Sequence, residues 1–490
     1  MNKVLVFGAS GYVGTHLVPH LRALGATVRA AARRRATLEA RDWSGVELVA
    51  ADALAPASLG AALDGIDVAY YLVHSMAAGR DFPALDREAA ANFRDAAAHA
   101  GVKTIIYLGG LRPSGDASTH LASRGETGDI LREGSVPVIE IRAGIIIGPG
   151  SAAFEVIRDL VFHLPAMITP QWVRSRAQPI ALGDVLEYLA RIGNFPEAAG
   201  AIYDVGGPEV LTYEELIRQF GELVGRRPLI VPVQVLTPKL SSYWLNFVTA
   251  VPTNIARALI DGLAHDVLAD DAAIKRLIPL PLKTYRQSAE TALAIERAGA
   301  AGTRWADGSM VHRHQRPDFA FYGKRMSGEA VSSASVEAIW REVAAIGGDN
   351  GYYFLDRLWR TRACIDELTG GTGMRRGRRD PHDIAIGDTI DFWRVLDVAT
   401  NRRLTLLAEM KLPGAATLEI ELVQEAPACT RIIVTAYFHP AGARGLVYWY
   451  SLMPAHAVIF PGLARAIGER AERAERGFAA ASDQPHGRNE

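Results

Sequence analysis

KVLVFGASGYVG, residues 3–14, joins a short apolar run to three glycines with the spacing G-x-x-G-x-x-G. The run Val4–Phe7 predicts a buried parallel strand. Helical periodicity starts at Tyr12 and ends at Gly25, so the turn after the strand leads into a helix. Because strand, glycine turn and helix follow one another in this order, the stretch predicts a dinucleotide-binding site. A purely structural strand-to-helix turn is the alternative.

Each glycine of this turn has its own predicted task. Gly8 permits the tight turn, Gly11 lets the backbone approach a pyrophosphate, and Gly14 lets the helix pack closely on the strand. The N-terminus of the helix adds backbone N–H groups and a partial positive charge. The predicted cofactor contacts within the turn are Gly8, Ser10, Gly11, Tyr12, Val13 and Gly14.

Further apolar runs alternate with helical segments along the first 300 residues. This alternation predicts a protein of the α/β class with a doubly wound parallel Rossmann sheet. Residues 151–300 follow a looser pattern, which we interpret as a substrate-side extension of the same domain, residues 1–300. After the first strand, the predicted strands are residues 27–33, 46–52, 68–74, 102–108, 136–147 and 201–207.

The second predicted strand ends in arginines at the position that faces the adenosine ribose in this fold. An acidic residue there would bind the 2′-hydroxyl of NAD, whereas arginine suits the 2′-phosphate of NADP. Arg33 and Arg34 therefore favour NADP(H) over NAD(H), and a solvated loop is the alternative for Arg35. Two later strand ends add predicted cofactor contacts at Asp52, Ala53, Leu72, Val73 and His74.

The second half of the chain predicts a separate α+β domain at residues 316–477, after a linker at residues 301–315. This domain begins with a helix at residues 335–345 and ends with a long helix at residues 454–474. Residues 478–490 are predicted to be a disordered tail. The strands predicted between the two helices are residues 389–398, 403–410, 416–423, 430–438 and 445–450.

Composition and charge restrict the partners and the compartment. A formal net charge of −1 gives no electrostatic case for binding nucleic acid. Cys364 and Cys429 are too few for a disulfide framework or a cysteine metal cluster, and the N-terminus leaves no room for a signal peptide, so we expect a cytoplasmic protein. Residues 240–256 carry no charge, which indicates a buried or substrate-covering segment, with peripheral membrane contact as the alternative. Nothing in the sequence indicates the oligomeric state.

The first 300 residues resemble the extended and atypical branches of the short-chain dehydrogenase/reductase superfamily. The motifs that carry this resemblance are GASGYVG (8–14), RAGIIIGPG (142–150), QPIALGD (178–184) and YDVGGPEVLTYEEL (203–216). The whole chain is similar to a bacterial group that joins such a domain to an uncharacterised C-terminal domain. The second-half matches are GGTGMRRGRRDP (370–381), GDTIDFWRV (387–395), AEMKLPG (408–414) and VYWYSLMPAH (447–456). The resemblance implies the helix-grip fold of START and Bet v 1-like proteins, which enclose apolar ligands.

Working members of the superfamily carry a serine or threonine after the fifth strand and Tyr-x-x-x-Lys on the next helix. The tyrosine transfers a proton, and the lysine lowers the tyrosine pKa and holds the nicotinamide ribose. Here the matching spacing falls on His120 and Arg124, which are the predicted catalytic residues. His120 can act as acid or base near neutral pH, whereas Arg124 can serve as a cation and ribose ligand but not as a proton relay. A surface histidine and a solvated arginine are the alternatives, and Ser114, Ser118 and Ser123 are candidate hydroxyls.

The C-terminal half offers weaker candidates. The arginine run at residues 375–379 is interpreted as a solvated loop, with a site for an acidic group of a ligand or partner as the alternative. His312 and His314 do not predict a metal site. Asp391 and Glu409 lie among apolar residues and need partners if they are buried, with arginines as candidates. Aromatic residues that could line a ligand cavity, although core packing is favoured, are Trp359, Phe392, Trp393, Trp449 and Tyr450.

Together these features predict an NADP-dependent oxidoreductase that acts on a small or medium apolar substrate. The substrate cleft is expected between the sheet and residues 151–300, with the C-terminal domain covering it or holding a hydrophobic ligand. The missing serine and tyrosine favour an alternative of another class, a non-catalytic NADP-binding redox sensor or carrier of hydrophobic ligands.

Overall fold

The computed structural model describes residues 3–39, 41, 43–74, 82–112, 118–233, 265–297, 323–368, 384–385, 388–426 and 429–482. The chain divides into two compact units. The described residues of the first unit run from 3 to 297, and those of the second from 323 to 482.

Within the described residues, a seven-stranded parallel sheet forms the centre of the first unit. Its strands are β1 (Lys3–Phe7), β2 (Thr27–Ala32), β3 (Glu47–Ala50), β4 (Val68–Tyr71), β5 (Thr104–Gly110), β6 (Val138–Ala143) and β11 (Ile202–Val205). They lie in the order β11-β6-β5-β4-β1-β2-β3. Strands β2 and β3 are added on one side of β1, whereas β4 and the later strands are added on the other side. This reversal of the strand order between β1 and β4 confirms the doubly wound fold and places a crevice at the carboxyl ends of these two strands.

Helices cover both faces of this sheet because successive side chains of each strand point to opposite sides. Val4 and Val6 pack in one core together with residues of α1 and α7, whereas Leu5 and Phe7 pack in the other with α3 and α4. The helices named here and below are α1 (Tyr12–Ala23), α2 (Arg35–Glu39), α3 (Leu59–Leu63), α4 (Phe82–His99), α5 (Thr119–Arg132) and α7 (Leu182–Ile192).

The predicted extension forms a third core around Phe154, Phe220 and Leu293. Its helices are α6 (Ala152–His163), α8 (Tyr213–Leu223), α9 (Ala272–Leu277) and α10 (Tyr285–Arg297). Its short strands are β7 (Ile146–Ile147), β8 (Ala166–Pro170), β9 (Arg176–Ala177), β10 (Ile180–Ala181), β12 (Leu211–Thr212) and β13 (Leu229–Val233). Strand β8 was not predicted, because it pairs with β13, a partner too distant in sequence for a local pattern to indicate.

The motifs that carried the resemblance tie the extension together. Gln178 donates through Nε2 to the Gly207 carbonyl at 2.8 Å and to Asp271 Oδ2 at 2.9 Å. A Cβ on Gly206 would lie 2.5 Å from Cδ of Gln178, so only glycine leaves room for this side chain. These contacts hold the loop after β11 against the segment that leads into β10.

The described part of the second unit holds a six-stranded antiparallel sheet in the order β14-β19-β18-β17-β16-β15. Its strands are β14 (Lys324–Ser332), β15 (Thr389–Ile390), β16 (Trp393–Ala399), β17 (Arg403–Ala408), β18 (Gly414–Ala426) and β19 (Cys429–Pro440). Its helices are α11 (Val336–Ala344), α12 (Asp356–Leu368) and α13 (Gly442–Ser482). Helix α13 packs on β14 and β19, and Gly328 of β14 lies directly against Pro461. A separate α+β domain is therefore present, as predicted.

Two predictions for this unit are wrong. Residues 445–450 were expected to form a strand because they are rich in aromatic and branched side chains, yet they belong to α13. The buried positions of this helix recur at a helical spacing, which decides its structure: Leu446, Trp449, Phe460, Leu463, Ile467 and Ala471. The helix contains Pro454, where it was expected to begin, and it extends to Ser482, into the segment that was predicted to be a disordered tail. Strand β14 and helix α12 were not predicted.

Most of the candidate aromatic residues belong to the core, as favoured. Phe392 and Trp393 are buried in the main core of this unit, Trp449 is buried, and Trp359 packs against the core. Tyr450 remains 38% exposed.

The two carboxylates considered have different partners among the described residues. Glu409 pairs with Arg394, with 2.5 Å between Oε1 and Nε. Asp391 is buried and accepts hydrogen bonds from the Tyr352 hydroxyl at 2.9 Å and the Gly348 N–H at 3.0 Å. Neutral donors therefore reach this carboxylate within the described residues, and an arginine partner for Asp391 stays a prediction, because the arginines of residues 375–379 lie outside the described residues.

Several predicted features lie outside the described residues. They are the linker at residues 301–315, the uncharged segment at residues 240–256, His312, His314, the arginines of residues 375–379 and Ser114. None of the helices in the described part of the chain has the length and apolar composition needed to cross a bilayer.

Candidate functional site

The glycine turn after β1 has the geometry that its sequence predicted. Gly8 has φ +91°, a conformation that other residues rarely adopt, and a Cβ there would lie 3.0 Å from the carbonyl carbon and oxygen of Leu72. A Cβ on Gly14 would lie 2.5 Å from the Gly8 oxygen and 2.8 Å from Cα of Ala9. Both glycines are therefore required by the close packing of the turn, β4 and α1.

Gly11 is different, because its surroundings are open. It is exposed, has φ −74°, and the nearest atom to a built Cβ is the Gly8 oxygen at 3.2 Å. Gly11 is the N-cap of α1, and as a glycine it has no side chain that could accept from the first N–H groups of the helix. Exposed backbone donors at the positive end of a helix fit the pyrophosphate of a dinucleotide. The residues present therefore fit this cofactor.

The arginines predicted to select the cofactor follow β2. Arg33 and Arg34 are both exposed at this carboxyl end of the strand. Arg35 begins α2 and pairs with Glu39, with 2.9 Å between Nε and Oε1. The position of Arg33 and Arg34 is compatible with a role at the adenosine ribose, and the Arg35 ion pair is consistent with its interpretation as a solvated residue.

A further arginine near this edge was missed by the sequence analysis. Arg41 is 7% exposed, and its Nη2 donates to the Ser10 carbonyl at 3.4 Å, so it approaches the glycine turn from outside. Its charge also helps to lower the pKa of His16, after burial as the largest cause. No motif or spacing in the sequence connects Arg41 with the turn.

Asp52 and Ala53 lie in the loop after β3. The Asp52 N–H donates to Ser58 Oγ at 3.0 Å, and Asp52 Oδ1 accepts from the Leu54 N–H at 3.0 Å. The Ala53 carbonyl accepts from Asn92 Nδ2 at 2.8 Å. These contacts shape the loop, and the predicted contact with adenine stays a prediction.

The segment after β4 runs beside the glycine turn. The strand ends at Tyr71, earlier than predicted, and the Leu72 N–H donates to the Phe7 carbonyl at 3.0 Å. A Cβ on Gly8 would lie 3.2 Å from the Val73 nitrogen. Leu72 and Val73 are thus brought against the turn, and His74 follows them at the carboxyl edge of the sheet.

His74 links two other side chains in a continuous hydrogen-bonded chain, here called the Asp86–His74–His120 chain. Asp86 Oδ2 of α4 lies 2.9 Å from His74 Nδ1, and His74 Nε2 lies 2.9 Å from Nδ1 of His120 on α5. Ser123 Oγ donates to the same Asp86 oxygen at 3.1 Å. Asp86 is 4% exposed and His74 has 13% of its side chain exposed. His120 is the terminal member, and its Nε2 is the ring nitrogen outside the chain.

Both imidazoles are poor at holding a positive charge. Burial lowers the pKa of His74, the hydrogen bond with Asp86 opposes this change, and the charge of Arg124 adds to it. Burial lowers the pKa of His120 to about 3, and Arg124 and His74 act in the same direction. At neutral pH both rings are therefore neutral imidazoles, and one hydrogen bond joins His74 Nε2 and His120 Nδ1.

Arg124 lies one helical turn after His120 and reaches the end of β5. Its Nη2 donates to the Leu108 carbonyl at 2.5 Å, and its own carbonyl accepts from the Tyr107 hydroxyl at 2.9 Å. A Cβ on Gly110 would lie 3.4 Å from Cδ of Arg124, so the small residue there lets the arginine cross the strand end. Burial raises the pKa of Tyr107 to about 12, which makes this tyrosine unsuited to proton transfer near neutral pH.

The described candidate hydroxyls have structural tasks. Ser118 is the N-cap of α5 and accepts from the Leu121 N–H at 3.4 Å. Ser123 is buried and directs its hydroxyl at Asp86. Asp86 itself was missed, although an aspartate in an alanine-rich amphipathic helix is a signal, since a carboxylate on the buried side of a helix needs a partner.

Comparisons with known proteins bear on the domain that holds this site. Residues 8–133 match the model of a family described as NAD(P)H-binding, and residues 322–463 match that of a family described as a protein of unknown function, DUF2867. The chain is 29% identical over 232 residues to the (4-alkanoyl-5-oxo-2,5-dihydrofuran-3-yl)methyl phosphate reductase of Streptomyces griseus subsp. griseus, covering 46% of this chain and 74% of that protein.

Two solved structures of triphenylmethane reductase from Citrobacter sp. are similar in fold. The complex with NADP(H) has a TM-score of 0.50 at 18% identity and covers 59% of this chain and 99% of that one. The other has a TM-score of 0.50 at 19% identity and covers 60% and 99%. The first unit therefore contains an NAD(P)-binding Rossmann domain. The choice between NADP and NAD, and the helix-grip architecture of the second unit, stay predictions.

Proposed function

We propose that the first unit is an NADPH-dependent reductase that acts on a polarised double bond of a small or medium apolar substrate, with His120 as the proton-transfer residue. The observation that carries the proposal is the Asp86–His74–His120 chain at the carboxyl edge of the sheet, beside the glycine turn. The relationship to a named reductase of Streptomyces griseus supports the choice of reduction.

The residues of the chain have distinct roles in this proposal. When bound, the nicotinamide supplies a hydride. The glycine turn and the N-terminus of α1 bind the pyrophosphate, and Arg33 and Arg34 bind the 2′-phosphate. His120 Nε2 gives a proton to the atom of the substrate that gains negative charge. Arg124 places a fixed positive charge beside this nitrogen and contributes to ribose binding.

The proposal also covers the second unit and the location. An antiparallel sheet with a long C-terminal helix packed on it supports a helix-grip domain. Its described core consists of side chains such as Ile339, Phe392 and Leu463, which argues against a carrier of hydrophobic ligands. We place the protein in the cytoplasm, acting on a small-molecule substrate and without a nucleic-acid partner.

The test is NADPH oxidation by the purified full-length chain with quinones, α,β-unsaturated carbonyl compounds and triphenylmethane dyes. Because positioned proton transfer typically contributes about 10²–10⁴-fold, His120→Gln should lose about that factor in kcat/KM. His99→Gln is the matched control, since His99 is exposed on α4 and its Nδ1 contacts the Asp95 carbonyl of its own helix. Equal rates for wild type and His120→Gln would refute the role of His120. Tight NADPH binding without turnover of any class would favour the redox sensor instead.

A further inference from the structure

We propose that Asp86, His74 and His120 act as one proton relay, in which His74 carries the positive charge of the donor state and Asp86 holds it there. This inference rests on the proposed reductase function. It explains how His120 can supply a proton although burial and the charge of Arg124 disfavour a positive charge on its own ring. Ser123 is a positioning residue, which orients the carboxylate of Asp86 by its hydrogen bond at 3.1 Å.

The charges around the two rings differ in sign. The charged groups that act on them are Asp86 from α4 and Arg124 from α5. Arg124 opposes a positive charge on both rings, whereas Asp86 contacts His74 directly at 2.9 Å. A proton added to the pair is therefore more stable when its charge lies on His74.

The hydrogen bonds allow this placement. In the donor state three N–H hydrogens are present: His74 Nδ1–H points at Asp86, His74 Nε2–H points at His120 Nδ1, and His120 carries the third on Nε2. His120 is neutral in this state, and the positive charge lies on His74, next to the carboxylate.

Proton delivery moves two hydrogens and balances the charge. Hydride addition to one atom of the double bond displaces the π electron pair onto the other atom. This pair forms a bond to the Nε2 hydrogen of His120 as the N–H bond breaks. His120 Nδ1 takes the hydrogen of His74 Nε2, so both rings end neutral with one N–H each. The His74 Nδ1–H bond to Asp86 is unchanged throughout, and a proton from solvent restores the donor state.

A structural role for the same contacts makes a different prediction. If the His74–Asp86 pair only ties the segment after β4 to α4, the two hydrogen-bonded rings still titrate as a coupled pair, but Asp86→Asn and His74→Gln should leave the kcat of the folded protein unchanged. The relay requires in addition that kcat depends on Asp86 and His74.

The first test uses the protein without cofactor. The imidazole nitrogens are followed by ¹⁵N NMR through a pH titration, with His74→Gln and His120→Gln used to assign signals. Because Asp86 raises the pKa of both rings, Asp86→Asn should lower both pKa values. Asp95→Asn, on the exposed side of the same helix and paired with Arg94, should leave them unchanged. Independent titration, or no change in Asp86→Asn with the spectrum of a folded protein, would overturn the relay.

The second test uses turnover with NADPH. Loss of a partner that orients a reacting group typically costs about 10–100-fold, so Asp86→Asn and His74→Gln should lower kcat by about that factor with little change in KM. The double variant His74→Gln/His120→Gln should be no slower than His120→Gln alone, because the members act as a unit. Multiplying losses would overturn the relay.

The two tests separate the relay from the reductase. If NADPH is oxidised and His120→Gln is impaired while Asp86→Asn equals wild type, the relay is wrong and the reductase stands. If the rings titrate as a pair governed by Asp86 but no substrate is reduced, the coupling is real and the reductase is wrong.

Discussion

Single methyl groups added to the glycine turn, by glycine-to-alanine substitution, can distinguish its role in folding from its role in cofactor binding. A methyl group on Gly14 would meet the Gly8 oxygen at 2.5 Å and Cα of Ala9 at 2.8 Å, both backbone atoms that cannot move aside cheaply. Overpacking of this kind typically costs about 1–3 kcal/mol of stability. Gly14→Ala should therefore lower the thermal midpoint of the first unit.

Gly11→Ala should give the reverse result. Gly11 has φ −74°, which alanine adopts without strain, and its built Cβ has its nearest neighbour at 3.2 Å, so the fold should lose only about 1 kcal/mol as the N-cap changes. The new methyl group would occupy space on the exposed side of the turn, where the pyrophosphate is proposed to bind. Loss of one charge-assisted hydrogen bond to phosphate costs about 1.5–3 kcal/mol, which weakens the Kd for NADPH by about 10- to 100-fold.

The assay pairs thermal unfolding with NADPH titration by nicotinamide fluorescence for each variant. Gly60→Ala is the control, since Gly60 lies in α3 and a Cβ built there meets no atom of the described chain within 4 Å. It should raise stability by about 0.5–1 kcal/mol and leave binding unchanged. If Gly11→Ala binds NADPH as tightly as wild type in a folded protein, the assignment of the pyrophosphate to this turn is refuted.

Three further predictions concern charge. Glu140→Gln should destabilise the first unit by about 3–5 kcal/mol in thermal or denaturant unfolding, because Glu140 is buried between two arginines. The control Glu126→Gln removes an exposed ion pair and should cost at most about 1 kcal/mol. His120 has a folded pKa of about 3 against an ordinary value of 6.5, so its contribution to stability is complete above pH 6.5 and is lost as the pH falls toward 3. Unfolding midpoints at neutral and acid pH should thus converge partly in His120→Gln, and an unchanged pH dependence would contradict the burial argument. Arg33→Ala should weaken the binding of NADPH by about 10- to 100-fold without affecting the binding of NADH. Arg35→Ala should affect neither, because Arg35 pairs within α2. Equal losses of affinity for both nucleotides in Arg33→Ala would argue against recognition of the 2′-phosphate.

The fold of the first unit could be predicted because its signals are local. Buried parallel strands form continuous apolar runs, and the turn at Gly8, Gly11 and Gly14 requires glycine for reasons that the sequence itself displays. The second unit was harder because its decisive contacts are distant. Strand β14 alternates weakly and is stabilised by pairing with β19, about a hundred residues later.

The candidate site shows the same division. His74 and His120 were each identified from their places after β4 and at the start of α5, but nothing in the sequence indicated that they contact each other. Asp86 was missed because its importance comes from the partner it meets. The aromatic run at residues 447–450 misled for a related reason, since β-forming side chains occupy a helix when the buried spacing of three and four residues continues through them.

In the proposed site, His120 and Arg124 stand where the superfamily that the sequence resembles carries tyrosine and lysine, and this difference has a physical consequence. A nearby cation makes a tyrosine a better acid, because it stabilises the negative tyrosinate and brings a high pKa toward neutrality. The same cation makes a histidine a worse proton carrier, because it opposes the positive imidazolium, and this effect contributes to the low pKa of His120. A site with His120 and Arg124 alone would therefore hold few protons at neutral pH. In the proposed relay the charge lies on His74, where the hydrogen bond with Asp86 opposes the effects of burial and of Arg124, and the N–H of His120 stays available for the substrate. The relay thus assigns the charge to His74 and Asp86 and the proton donor to His120, because Arg124 disfavours a positive charge on His120 itself.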